Sequence, residues 1–344
     1  MLRLRVHGPD DLRLEERDDP VPQSNDVVVR VKACGICGTD LLYGKAGASM
    51  RSGAPLPLGH EASGIVASVG RNVKGLVPGM RVVLNPMARA ARFGGSPDHI
   101  IGNGSPEGAF GEALLVIDAV LGEDLMVLPE GITFEQAALV DPLAVALHAI
   151  RRGGAIPGEK VVIYGAGPIG LAAILWLRDI GITDIVSIDL SPERLARARE
   201  MGARATIDAA LEDVSARLAE LHGHLEQIDQ PVTGTDLFID LAGGSGVVET
   251  IIRMAKARAR VVIVAVHHQP AAIPLDTVLM KELLILGAAG YPTEFREVVD
   301  KLPALTAELD MLISDRFPFR QVHDAFEMAR HRESAKVMVT FDEC

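Results

Sequence analysis

One stretch constrains what this chain can fold into more than any other: residues 161–189, VVIYGAGPIGLAAILWLRDIGITDIVSID. Val161, Val162, Ile163 and Tyr164 form a short apolar run, rich in β-branched residues and ended by a glycine, which is the pattern of a strand buried on both faces of a parallel sheet. Gly165, Gly167 and Gly170 follow in the spacing G-x-G-x-x-G. The first glycine permits a tight turn, the second lets backbone approach a pyrophosphate, and the third lets the next helix pack closely on its strand. Pro168 and Ile169 stand at the start of that helix, expected over 169–180. Its amino end offers free N–H groups and a positive dipole end to a phosphate.

A second strand, over 185–188, runs into Asp189, 19 residues after Gly170 (189 − 170). The Rossmann pattern puts there the acid that accepts hydrogen bonds from the adenosine ribose hydroxyls. A carboxylate at that place repels a 2′-phosphate, so the pattern favours NAD over NADP. Arg194 is placed either to stack on adenine or to soften that preference. A glycine-rich turn beside an ordinary surface aspartate is the bland alternative. Strand, fingerprint, helix, strand and terminal acid in order are far more specific than the glycines alone.

A chain of 344 residues is too long for one comfortable core, so two domains are expected. The net charge of −12 argues against nucleic acid or an anionic membrane as partner. Three cysteines, Cys34, Cys37 and Cys344, make no disulfide framework and point to a reducing, cytoplasmic location. The opening MLRLRVHGPDDLRLEERDD lacks the apolar core of a signal peptide, and apolar runs elsewhere are broken before membrane-spanning length.

Before residue 140, short strands at 2–6, 12–15, 27–33, 64–69 and 82–84 alternate with Asp-, Pro- and Gly-rich turns, the punctuation of a small antiparallel barrel or sandwich. Two motifs sit among them: Cys34-Gly35-Ile36-Cys37-Gly38-Thr39-Asp40 and Leu58-Gly59-His60-Glu61-Ala62-Ser63-Gly64. A redox C-x-x-C needs a thioredoxin-like βαβ context, which is missing, and a zinc ribbon needs a second C-x-x-C, which the cysteine count excludes. A thiolate, an imidazole and a carboxylate delivered by loops beside strand ends suit a zinc site with an open position. From 141 to 287 strands and helices alternate, hence a doubly wound parallel sheet. Helices are expected at 143–152, 192–201, 211–225 and 247–257, and strands at 205–207, 236–240, 261–266 and 283–286. Ala242, Ala265 and Val266, at strand carboxyl ends, are expected to line the cofactor, as is Ala289 after the last strand. A helix over 326–329 and a strand over 336–339 close the chain.

These motifs resemble those of the zinc-dependent medium-chain alcohol dehydrogenases. Gly59-His60-Glu61-x-x-Gly64-x(5)-Gly70-x-x-Val73 matches that family's zinc signature, Cys37-Gly38-Thr39-Asp40 matches its first-ligand loop, and the likeness covers nearly the whole chain. The resemblance implies an α/β protein with a discontinuous GroES-like β-barrel catalytic domain, 1–141 and 290–344, and a Rossmann NAD-binding domain, 142–289. It makes Cys37 and His60 zinc ligands, Glu61 a ligand or a carboxylate that exchanges with water, and Cys34 a packed bystander. Asp141 occupies the fourth-ligand position, where sorbitol-type members carry glutamate. It ligates directly or through water, or else Asp141-Pro142 is an N-cap and first-turn pair for the next helix. Thr39 matches the hydroxyl that relays the alcohol proton, and Leu42 replaces a histidine often found beyond it, so the proton leaves through the cofactor ribose or water. Lys336 matches a basic residue that meets the cofactor phosphates, or is a solvated strand-end lysine.

Residues 85–111, where many relatives hold a structural zinc on four cysteines, contain no thiol, so one catalytic Zn2+ per subunit and no structural zinc is expected. The strand over 283–286 pairs across a dimer axis in the family, implying a homodimer or homotetramer. The implied reaction is oxidation of a secondary alcohol, diol or polyol to a ketone: zinc polarises the alcohol oxygen and NAD takes the hydride. Gly290-Tyr291 stands where sorbitol-type members place an arginine before the tyrosine, so a long polyol loses one anchor and a small secondary alcohol or vicinal diol, as in butanediol-type members, is indicated. The competing readings are a zinc-free NADPH-dependent quinone or enone reductase of the same superfamily, which needs no ligand set and no Asp189, and a non-catalytic cofactor-binding protein.

Overall fold

A computed structural model describes residues 1–227 and 230–341. Cys344 and the intervening pair at 228–229 lie outside the described residues. The chain divides into two compact units, Met1–Asp141 with Phe295–Cys344, and Pro142–Glu294. The return to the first unit therefore follows Glu294, after the Gly290-Tyr291 pair.

In the first unit, strand Val27–Gly35 is the central element. It pairs antiparallel with Glu61–Val69, with Ala113–Val116 and with Lys336–Thr340. Its alternation of Val27, Val29 and Val31 puts apolar side chains into a core shared with Leu4, Leu58, Phe110 and Phe326. The expected all-antiparallel barrel needs one correction. Ile313–Pro318, an element not expected from the sequence, pairs parallel with Lys336–Thr340, because the helix Val322–Arg330 carries the chain back to the same end of the sheet.

Residues 85–111 are held without thiols. Within them the short helix Ala88–Arg92 sends Arg92 to Asp124, at 2.8 Å, and to Glu123, while Arg89 reaches His99, also at 2.8 Å, and lies over the Phe93 ring. Asp124 is buried, so its pairing is needed rather than ornamental.

The second unit is a parallel sheet of six strands, in the spatial order Ala205–Asp208, Asp184–Asp189, Lys160–Tyr164, Leu237–Asp240, Arg260–Ile263, Leu284–Gly287. This is the doubly wound order, with the reversal between Lys160–Tyr164 and Leu237–Asp240. Val161, Val162 and Ile163 are fully buried, as a strand covered on both faces requires. The only tryptophan, Trp176, lies inside helix Pro168–Asp179 and donates its indole N–H to the Leu143 carbonyl at 2.8 Å.

The long polar helix expected over 211–225 is shorter. It spans Val214–His222 and stops at Gly223, whose φ of +94° no helix accommodates, and Leu225 then lies in a hairpin, His224–Gln227 with Gln230–Thr233. Helix Val140–Gly153 begins one residue before Asp141, which places Asp141 and Pro142 inside its first turn and corrects the N-cap alternative.

His222 closes its helix with Nδ1 2.8 Å from the Thr235 hydroxyl and Nε2 3.3 Å from the Asp184 carboxylate. Burial outweighs Asp184 and, with the nearby Arg204 and Lys160, pushes its pKa down to about 4 from an ordinary 6.5. The unfolded chain therefore binds the extra proton first, and stability falls as pH drops from 6.5 towards 4. A His222→Asn variant, which keeps an acceptor for Thr235 but cannot titrate, is expected to lose less of its thermal midpoint than the parent over that window. Equal losses would remove His222 as the cause.

Candidate metal and dinucleotide sites

The first unit brings Cys37, His60 and Glu61 together: one donor atom from each lies within 4.8 Å of the others. Three pieces of local structure do this. Strand Val27–Gly35 ends just before Cys37, which stands as N-cap of helix Gly38–Ala46, its sulfur at the positive end of the helix dipole. Gly59 takes φ +91° with the Phe110 backbone so near that a Cβ would sit 2.6 Å from its nitrogen, and this turn aims His60. Glu61 begins strand Glu61–Val69 opposite Gly35.

Asp40 ties the two loops. Fully buried, it accepts hydrogen bonds from the Cys37 N–H at 2.9 Å and the Gly59 N–H at 3.0 Å, and one of its oxygens lies 3.7 Å from His60 Nδ1. This Cys37-x-x-Asp40 arrangement is a capping-box pattern, visible in the sequence but not singled out there.

Lys336 corrects an expectation. Its side chain is 2% exposed, and its amine donates to Glu61 Oε2 at 2.5 Å and to the Ile36 carbonyl at 3.0 Å. It is not a solvated strand-end lysine. Burial disfavours its charge, but Glu61 and Cys37 outweigh burial and raise its pKa. His60 behaves alike: burial works against protonation, and Asp40, Cys37 and Asp141 together raise it well above the ordinary value. A negative potential that raises two buried bases also attracts a dication. Sulfur, imidazole and carboxylate are the donor set of an open zinc site, so the residues fit that ion. Asp141 is close enough to act on His60 and Lys336 through its charge, yet it is not one of the three clustered donors. Cys34 is fully buried, and burial followed by the charge of Asp40 pushes its thiol up, leaving it a packing residue. Thr39 lies half-buried in the first turn after Cys37.

In the second unit, Gly165 turns with φ +99° against Leu241, and a Cβ on Gly170 would meet the Gly165 carbonyl at 2.0 Å. Gly167 caps helix Pro168–Asp179, with Pro168 and Ile169 in its first turn, and the space beside Gly167 is open apart from the Arg194 guanidinium. Asp189 accepts from Ala166 N–H and Leu190 N–H, each at 2.7 Å, and from Ser191 N–H at 3.0 Å, which fixes the carboxylate at the rim of the fingerprint turn. Ala242, Val266 and Ala289 are exposed and Ala265 half-buried, all beyond strand carboxyl ends.

Known proteins share both halves. The alcohol dehydrogenase GroES-like domain model matches residues 23–124 and the zinc-binding dehydrogenase model residues 168–304. Sorbitol dehydrogenase of Homo sapiens is 31% identical over 351 residues, spanning 99% of this chain and 96% of that protein. The chain belongs to the zinc-dependent medium-chain alcohol and polyol dehydrogenases. As a member of that family it is an oxidoreductase. Among solved structures, 2R,3R-butanediol dehydrogenase from Bacillus subtilis matches with a TM-score of 0.86 at 30% identity, covering 98% of this chain and 99% of that one. An Escherichia coli CFT073 alcohol dehydrogenase complexed with NADH matches with 0.86 at 25% identity over 99% of each.

Gly35 had no assigned role, and the signal that could have found it is a glycine ending an apolar strand two residues before a ligand. A Cβ there would lie 2.2 Å from Glu61 Oε2 and 3.2 Å from Lys336 Cδ. Gly35→Ala is expected to displace the Glu61–Lys336 pair and weaken zinc binding about 10-fold or more, as loss of supporting contacts around a metal does. Competition with a chelator measures it, and unchanged affinity would show that the pair is not needed to shape the donor set.

Proposed function

We propose that this protein oxidises a vicinal diol or a polyol at a secondary carbinol to the ketone, with zinc held by Cys37, His60 and Glu61 and hydride passed to NAD. The convergence of those three donors in one buried cup carries the reading. Zinc, when bound, supplies a Lewis acid that acidifies an alcohol. The chain's own residues do the rest: Asp40 holds the two ligand loops in register, Lys336 balances the charge of Glu61, and Thr39 passes on the alcohol proton. Asp141 serves as a ligand through water. In the second unit, Asp189 beside an open Gly167 favours a cofactor with a free ribose 2′-hydroxyl. Sorbitol and butanediol dehydrogenases among the relatives support the substrate class. The zinc-free reductase reading is not favoured, since nothing in it calls for the donor cup.

Purified protein is expected to carry about one zinc per chain and to turn over vicinal diols or polyols with NAD in preference to NADP. Thr39→Ala is expected to lose about 10²-fold in kcat with zinc retained. Metal-free protein that reduces quinones with NADPH would refute the assignment. So would a Thr39→Ala rate within a few-fold of the parent, for the relay alone.

The same proposal includes assembly into a homodimer or homotetramer. Among the described residues Leu284–Gly287 is an edge strand with one side unpaired, and Leu284 is 54% exposed, while Leu275, Leu279 and Met280, shortly before it in the chain, are exposed further still. An apolar edge of this kind is rarely left bare. Leu284→Arg is expected to move the sedimentation coefficient towards that of a monomer, and a parent that already sediments as a monomer would reject it. A cytoplasmic location, supported by the scarcity of cysteines, is checked by cell fractionation. Among the described residues no helix is long and apolar enough to cross a membrane.

A further inference from the structure

The second unit ends two of its strands in aspartates, and they do different things. Asp189, on the fingerprint side of the sheet reversal, is half-buried. Asp240, at the carboxyl end of the neighbouring strand Leu237–Asp240, has no exposure at all. One of its carboxylate oxygens accepts from Ala242 N–H at 3.0 Å and Gly243 N–H at 3.1 Å, and the other lies 2.7 Å from His267 Nε2. Its carbonyl accepts from Val264 N–H and Ala265 N–H. A single buried residue thereby organises both loops that follow the two strands of the second half.

Those loops adjoin the phosphate turn. The carbonyl of Leu241 lies 3.0 Å from where a Cβ on Gly165 would stand, and Gly243, at φ +64°, lies against Val266. A carboxylate only accepts, so the His267 nitrogen facing it carries the hydrogen, and Nδ1 is left pointing away from the buried acid. The His267 side chain is 17% exposed, enough for one edge of the ring to reach solvent. Doubly wound sheets bind a dinucleotide across two mononucleotide halves at the strand carboxyl ends. The half holding Asp189 takes the adenosine ribose, which leaves the half holding Asp240 for the other nucleoside.

We propose that His267, oriented by Asp240, binds a hydroxyl of the nicotinamide-side ribose. A ribose hydroxyl both donates and accepts, so it pairs with Nδ1 whether the ring is neutral or charged. His267 is then a cofactor-contacting residue and Asp240 its positioning residue. The inference rests on the dinucleotide reading of this unit and adds to it a contact that the glycine fingerprint does not contain.

The test measures, by fluorescence titration and competition on the full chain, the affinities of NADH and of ADP, which occupies only the adenosine half. His267→Gln is expected to weaken NADH about five- to tenfold, the effect of one hydrogen bond, and to leave ADP unchanged. Asp240→Asn is expected to do the same, with KM for NAD rising and KM for the alcohol held. Unchanged NADH affinity in His267→Gln overturns the proposal. Parallel loss of NADH and ADP affinity also overturns it, because it would mark a structural role only. A parent that binds ADP but not NADH, or neither, overturns the dinucleotide reading itself, which distinguishes that failure from this one.

Discussion

The first unit is built around a lysine and a glutamate that face each other with almost no access to water. Taking either charge out of solvent alone costs several kcal/mol, and removing one partner of such a pair typically costs about 3–5 kcal/mol, because the survivor is stranded. Lys336 and Glu61 are 2% and 1% exposed, and the Ile36 carbonyl takes a second hydrogen bond from the amine. Everything adjacent follows from housing that pair. Gly35 has no side chain so that the pair has room, strand Val27–Gly35 lies between the two strands that carry the charges, and Cys37 and His60 are brought beside a carboxylate whose position is held by a cation.

That arrangement also sets the electrostatics of the metal cup. Asp40 and Asp141, with the Cys37 sulfur, place more negative than positive charge around His60. Supplying a divalent ion relieves the imbalance, which gives a physical reason for a three-donor site in a buried place. The lobe at 85–111 is held by other means: Arg89 and Arg92 tie it to Asp118, Asp124 and Glu123.

Much of this was legible before the structure. The glycine fingerprint, the strand before it and Asp189 after it are local in sequence, and their spacing is dictated by backbone geometry, so each element appears within a residue or two of its expected place. The donors Cys37, His60 and Glu61 were equally readable, since each sits on a short motif. What escaped was non-local or depended on a single backbone angle. The parallel pairing of Ile313–Pro318 with Lys336–Thr340 has no local signature, the hairpin after His222 hinges on Gly223, and the commitment of Lys336 to Glu61 joins residues 275 positions apart. Asp240 was hidden for another reason: an acid at the end of an apolar strand reads as a turn residue until its neighbours are in view.

The separation of Glu61 from Lys336 has a consequence for how the chain comes to be folded. Residues 142–294 are contiguous, and their parallel sheet can close as soon as that stretch has left the ribosome. The barrel cannot, because its sheet lacks the Lys336–Thr340 strand until the 275 positions that separate Lys336 from Glu61 have been made, and Glu61 spends that interval without its counter-charge. In a nascent chain of this kind the contiguous unit therefore ripens first, and the cup for the ion sets after it.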